Sequence, residues 1–248
     1  ATYHPNQAFL IDLQTGRFQF VGSDLHPAYE ASVSRGSDRL CFVSNTHDGM
    51  AVYECRIGFG DQGWEVGSWA RVSLRNRVVR CPIYAADGNA LYCLGSIENA
   101  GGPVGSAYAL YRVGAASSVK PSPDPRLIAQ GFYLPAAISE FPDGTRLLVW
   151  HANGLEIVDV LSRTKQSLVL PPLKDPGMPN GESLRPEHVV LSPDGKRIAF
   201  SAYRDSGDPN KGSGTYIYVC NLDGSDLKRV TPLDDTPVEP YVFPATGK

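Results

Sequence analysis

No apolar run in this 248-residue sequence approaches the length of about 18 that a membrane-spanning helix requires. The start carries no basic stretch followed by an apolar one, so no intact signal peptide is expected within these residues. No stripe of Lys and Arg exists, and 23 basic against 26 acidic residues leave a net charge of −3, a poor match to nucleic acid or an anionic membrane. Sustained 3.6-residue periodicity is also missing, so essentially no helix is expected. There is no Gly-x-Ser-x-Gly elbow and no phosphate-binding loop. The five cysteines form no CxxC pair, and no two of the five histidines stand at HxH or HxxxH spacing.

What is present is turn residues and short β-rich runs. Gly (25) and Pro (20) are abundant, while a 42% hydrophobic fraction supports a real core rather than a disordered chain. The clearest unit is Val189-Val190-Leu191-Ser192-Pro193-Asp194-Gly195-Lys196-Arg197-Ile198-Ala199-Phe200-Ser201, which reads as strand, tight turn, strand. Weaker copies run from Ile138 to Trp150 around Pro142-Asp143-Gly144, from Pro82 to Leu94 around Asp87-Gly88, and from Ala31 to Val43 around Arg35-Gly36-Ser37. They recur about 50 residues apart, a period suited to four-stranded units with variable loops. A second hairpin completes each unit, as in Tyr216–Cys220, Asn221–Ser225 and Leu227–Thr231, or in Leu155–Asp159 and Gln166–Leu170.

The ends of the chain complement each other. Phe9 to Phe18 match the third and fourth strands of a unit, and Tyr241 to Lys248 match a first strand and turn. Aligning Tyr3-His4-Pro5-Asn6 with Trp150-His151-Ala152-Asn153 puts Ala1 at the position of Ala199 and Lys248 at that of Lys196. The two ends then lack only the equivalents of Arg197 and Ile198. The expectation is an all-β, single-domain, five-bladed β-propeller over 1–248. Its blades lie at about 28–75, 78–130, 132–171 and 186–232, with a split blade made of 1–22 and 237–248 that closes the ring. A fragment of a longer array is the competing expectation.

The run Ser192–Phe200, with Ile217–Gly224 and Arg229-Val230-Thr231, resembles the WD-repeat-like β-propeller repeat of the TolB family. The same repeat occurs in the propellers of prolyl oligopeptidase-type enzymes. TolB has an additional N-terminal domain and a larger propeller, and the oligopeptidases add a hydrolase domain for which this chain has no room. The resemblance implies a toroid and, by family habit, an extracytoplasmic (periplasmic or secreted) bacterial protein that binds partners. Fold alone does not fix function.

Strand direction alternates within a blade, so loops sort onto two ends. Turns between strands one and two, and between three and four, are expected to be short and structural. Connections between strands two and three, and between blades, are expected to be long: Asn45 to Gly49, Ser96 to Ser106, Lys174 to Arg185 and Arg204 to Gly214. Binding residues usually sit on such loops. His4, His47 and His151 follow second strands, and His26 and His188 lie at or before the start of first strands, with Asp48, Glu182, Glu187, Asp205 and Asp208 nearby. A His/carboxylate site for a divalent metal at the channel mouth is one reading of this set; ordinary loop composition is the plainer one, and no cofactor is expected. The Asp205–Gly212 loop lacks the spaced ligands and closing Glu of an EF-hand and reads as solvated.

Glu30, Glu187 and Glu239 align at or within one position of each other at the starts of first strands. Paired carboxylates there suit glycosidase chemistry, and equally a wet pore lined by duplicated acids. Trp64, Trp69 and Tyr133 suit either sugar stacking or packing between blades. Cys55 and Cys220 align where other copies have Ile11 and Val158, and Cys93 aligns with Phe42, Val149 and Phe200, so burial is expected; Cys81 and Cys93 lie on adjacent strands and a bridge between them is open. The sequence therefore reads as a non-catalytic, monomeric scaffold docking a protein partner through its loop-rich end, with His47, His151, His188, Arg204, Asp205, Asp208, Glu30, Glu187 and Glu239 as candidate binding residues. A carbohydrate-active enzyme or lectin using the same mouth is the alternative.

Overall fold

The computed structural model describes residues 8–12, 14–21, 28–46, 49–61, 63–72, 78–97, 107–115, 125–133, 136–175, 183–204 and 214–231. They form eighteen strands and, among the described residues, no helix. A two-stranded ribbon comes first, β1 (Phe9–Ile11) with β2 (Phe18–Phe20). Four antiparallel four-stranded sheets follow, each a meander in chain order. The first blade is β3 (Ala28–Val33), β4 (Arg39–Thr46), β5 (Gly49–Gly60) and β6 (Gly63–Arg71); the second is β7 (Val79–Tyr84), β8 (Ala90–Ser96), β9 (Tyr108–Gly114) and β10 (Arg126–Phe132). The third is β11 (Ala136–Glu140), β12 (Arg146–His151), β13 (Gly154–Asp159) and β14 (Lys165–Leu168); the fourth is β15 (Glu187–Leu191), β16 (Arg197–Arg204), β17 (Gly214–Asn221) and β18 (Lys228–Arg229).

Two expectations need correction. Among the described residues four sheets, not five, have four strands, the β1–β2 ribbon is a separate two-stranded sheet, and no closed ring is seen. The strands expected to complete it, at residues 1–4 and 241–243, lie outside the described residues. The loop lengths also sort less cleanly. The β4–β5 connection is a two-residue hairpin, with Asn45 opposite Met50 and Thr46 opposite Gly49, because pairing continues to the strand ends. Conversely, β9 and β10 are joined by the long segment 115–125 where a short turn was expected.

The chain divides into two compact units, 1–169 with 193–195, and 170–192 with 196–248. In the first unit apolar faces of successive sheets meet. Leu10 and Val21 pack with Leu40, Phe42, Cys55 and Ile57; Cys41, Val43 and Val52 pack with Leu91, Cys93 and Val113; Leu94, Leu110 and Phe132 pack with Ile138, Leu147 and Val149. The second strands are the most deeply buried, and every residue of β8 is shielded on both sides, which accounts for its nearly unbroken apolar run Ala-Leu-Tyr-Cys-Leu-Gly-Ser. In the second unit Phe200 stacks on Tyr218 at 5.6 Å, and the Tyr218 hydroxyl donates to buried Asp175 at 2.6 Å, which Arg229 also approaches at 3.3 Å.

The turns between first and second strands share one geometry. The amides of Ser37, Gly88 and Gly144 donate three residues back to Ser34, Ala85 and Phe141, and the left-handed residue that follows the turn is Gly88, Gly144 or Gly195 (φ 67–71°) or, in the first blade, Ser37 (φ 56°). Serine thus occupies a conformation that L-residues disfavour and glycine does not.

Candidate functional site

First strands supply the residues the sequence assigned to the channel. In the first unit β7 packs against β3 on one side and β11 on the other. β3, β7 and β15 each carry a β-bulge, between Tyr29 and Ser32, Arg80 and Ile83, and Glu187 and Val190. The first bulge residue is left-handed each time: Glu30 (φ 47°), Cys81 (φ 52°) and His188 (φ 52°). β11 pairs without interruption. Non-glycine residues in this region cost on the order of 1–3 kcal/mol and persist only when neighbours hold them. The holding is visible. The Glu30 carboxylate accepts the Cys81 backbone N–H at 2.7 Å and pairs with Arg80 at 2.8 Å, and the Cys81 thiol donates to the Ala136 carbonyl at 3.0 Å. One bulge residue after another therefore reaches to the next first strand. Pro82, lacking an N–H inside an otherwise strand-like run, is a signal that could have marked the β7 bulge, which was not among the sequence expectations.

Glu30 and Glu187 both sit in first strands, as expected. Glu30 is committed to Arg80 and Cys81. His188 is exposed, and its Nδ1 lies 3.2 Å from Ser201 Oγ, which donates to the Glu187 carbonyl at 3.1 Å. Arg204 ends β16. His47, Asp205, Asp208 and Glu239 lie outside the described residues, as do His4, His26, Asp48 and Glu182.

His151 ends β12, and its side chain is only 3% exposed. Phe132 meets its ring edge-on at 5.5 Å and Tyr133 lies at 6.4 Å. Asn153 donates its N–H to Nδ1 at 3.4 Å, so the ring proton sits on Nε2, which faces Glu156 Oε2 at 3.7 Å without a hydrogen bond. Lys165 pairs with the same oxygen at 3.0 Å, donates to the Gln130 carbonyl at 2.9 Å and lies over the Phe132 ring. Burial pushes the His151 pKa below its ordinary value; Glu156 opposes that and Lys165 adds to it. No sequence pattern points to this cluster, because Glu156 and Lys165 are brought together only through β13–β14 pairing.

Among the described residues no group of three His, Cys, Asp or Glu side chains is placed to hold a metal ion. All five cysteines are free thiols, Cys81 and Cys93 included; Cys81 sits in its bulge with its sulfur turned to Ala136. Trp69 packs on Phe42 at 5.2 Å, and Trp64 on Phe59 at 5.2 Å.

Antiparallel four-stranded meanders repeated along the chain are the blades of a β-propeller, and known structures agree. The fold is similar to TolB from Acinetobacter baumannii at a TM-score of 0.59 and 15% identity, over 90% of this chain and 48% of that one. It is also similar to a putative TolB from Agrobacterium tumefaciens (TM-score 0.57, 18% identity, 90% and 68% covered). A chain of a nidogen/laminin complex matches with a TM-score of 0.58 and 13% identity, over 92% of this chain and 73% of that one. The chain thus spans about half the length of the Acinetobacter protein. At these identities the likeness establishes the fold alone. No protein-family profile and no curated protein matches the sequence.

Proposed function

We propose that this chain is a non-catalytic propeller scaffold that docks a protein partner at the end of the blades where second strands pass to third. The observation that carries this reading is the uneven size of those connections: two-residue hairpins in the first and third blades, but residues 97–107 in the second and 205–213 in the fourth. Long connections beside tight ones on a rigid sheet give a relief suited to recognition. One structural neighbour comes from a protein–protein complex, which supports the same reading. Arg204, Asp205, Asp208 and His47 are the proposed contacts, with His188, Glu187, Glu30 and Glu239 along first strands; His151, expected among them, is only 3% exposed and is not one of them. The TolB-like resemblance supports an extracytoplasmic location, periplasmic or secreted.

The five-blade ring is part of this proposal, as one domain over 1–248: residues 241–243 would complete the blade that β1 and β2 begin. Phe9, Ile11, Phe18 and Phe20 share one face of that ribbon and are 45–55% exposed, surface that a completed ring would cover. Deleting 237–248 should then increase binding of an apolar dye and lower the melting temperature; an unchanged melt removes the closure. For docking, a photo-crosslinking amino acid at Ala152, Arg204 or Asp208 should give a protein adduct in cells of the source organism. The same group at Asp143 or Asp194, in the opposite turns, should not. Adducts from both sets, or from neither, contradict the reading. Turnover of any polysaccharide in a hydrolysis screen would favour the carbohydrate-active alternative.

A further inference from the structure

The His151 cluster lies at the junction of the second and third blades, next to the hairpin Ala152–Asn153. That hairpin is held by two bonds: Asn153 N–H to the imidazole Nδ1, and Ala152 N–H to the Tyr133 carbonyl at 3.2 Å. The first depends on the imidazole staying where it is and keeping a lone pair on Nδ1; the second is a backbone bond that ties the adjacent amide to the end of β10. Among the described residues, the charged or titratable groups that face the ring are Glu156 from β13, Lys165 from β14 and the Tyr133 phenol after β10.

We propose that His151, Glu156 and Lys165 form a proton-operated latch that fixes the Ala152–Asn153 hairpin at neutral pH and releases it on mild acidification. A proton taken from solvent must add to Nδ1, since Nε2 already carries one. Two N–H groups then point at each other and Asn153 loses its acceptor. The new cation has no hydrogen bond at Nε2 and shares its one carboxylate with Lys165. A ring enclosed by Phe132 and Tyr133 offers it little water. The site therefore prefers the neutral imidazole. Because the folded-state pKa is depressed, the latch contributes its full stability above the unfolded value of 6.5 and loses it as pH falls from there towards the folded value. The latch stands on this geometry alone; the claim that it regulates docking at Ala152 rests on the reading proposed above.

Amide hydrogen exchange and imidazole proton shifts of the full chain between pH 5 and 8 test it. The His151 resonances should titrate below the ordinary histidine range. Protection of the Ala152 and Asn153 amides should fall at least about threefold on acidification, relative to the Asn89 turn amide. His151→Gln, which keeps an acceptor but cannot titrate, should abolish the pH response. Glu156→Gln, which leaves His151 in place, should move its titration further down, because the carboxylate is what holds it up. A midpoint at or above the ordinary range, or protection independent of pH, overturns the latch. If the latch responds but crosslinking from Ala152 is equally efficient at pH 5.5 and 7.5, the regulatory role fails and the latch survives. If no adduct forms at either pH while the amides respond, the docking reading fails instead.

Discussion

Replacing Ser37 by glycine should make the protein more stable. Ser37 sits at φ 56° at the position where the other three blades have glycine, and its side chain points to solvent. The left-handed conformation costs an L-residue about 1–2 kcal/mol, while glycine adds unfolded-state entropy worth roughly 0.5–1 kcal/mol. The balance is a gain of about 0.5–1 kcal/mol for Ser37→Gly, and the Ser37 N–H bond to Ser34 is untouched. The reverse change in the third blade should cost about as much, because a methyl on Gly144 would meet only the Ala86 Cβ at 3.5 Å, an ordinary contact. Gly88→Ala should cost more than either. Its Cβ would lie 2.8 Å from an Arg39 guanidinium nitrogen, and Arg39 is paired with buried Glu54 at 3.3 Å. Urea midpoints at constant slope measure all three. A loss of stability in Ser37→Gly, or equal costs for Gly88→Ala and Gly144→Ala, would refute the argument from turn geometry and neighbour contact.

Three further outcomes are expected. Tyr84→Phe removes the hydroxyl that donates to the buried Glu54 carboxylate at 3.1 Å and should cost about 1.5–3 kcal/mol in urea denaturation. Glu140 is 7% exposed with Oε1 unpaired and Arg35 at 3.8 Å; burial raises its pKa, so the fold favours its protonated form and gains stability as pH falls through that raised value. Glu140→Gln should therefore exceed wild type in melting temperature at pH 7.5, with the advantage shrinking towards pH 4.5; a constant difference would contradict it. Burial pushes the Cys93 thiol up to about 12 and those of Cys55 and Cys220 to about 11, so iodoacetamide at pH 8 should leave these cysteines unmodified in the native protein and label them in urea.

The repeat was legible because its strongest signals are local. Pro-Asp-Gly turns and alternating runs such as Arg197–Ser201 depend on neighbours in the chain, and four-stranded antiparallel sheets are what the structure shows. Cysteine burial was legible for the same reason, since Cys93 and Cys220 stand where other copies carry apolar residues. The bulges were harder: a left-handed Glu30 is sustained by Arg80 and the Cys81 amide, fifty residues away, and only Pro82 could have marked one of them. Loop lengths misled where pairing ran on, as at Thr46–Gly49, because β-propensity beyond a His-Asp pair does not say whether two strands stay together. The place of His151 after a second strand is legible in the sequence; its partners Glu156 and Lys165 come from sheet register, which the alternation of polar and apolar residues does not reveal.

The crowding at Gly88 bears on how such a chain is assembled from copies. The missing side chain leaves space for a residue of the preceding copy, so the constraint is written in one unit and enforced by another. Copies are consequently not interchangeable bricks: a shuffled or transplanted unit would carry a surface shaped for its former neighbour. Divergence between copies should accumulate in matched pairs across their seams, and engineering by module exchange would need to move two adjoining turns together.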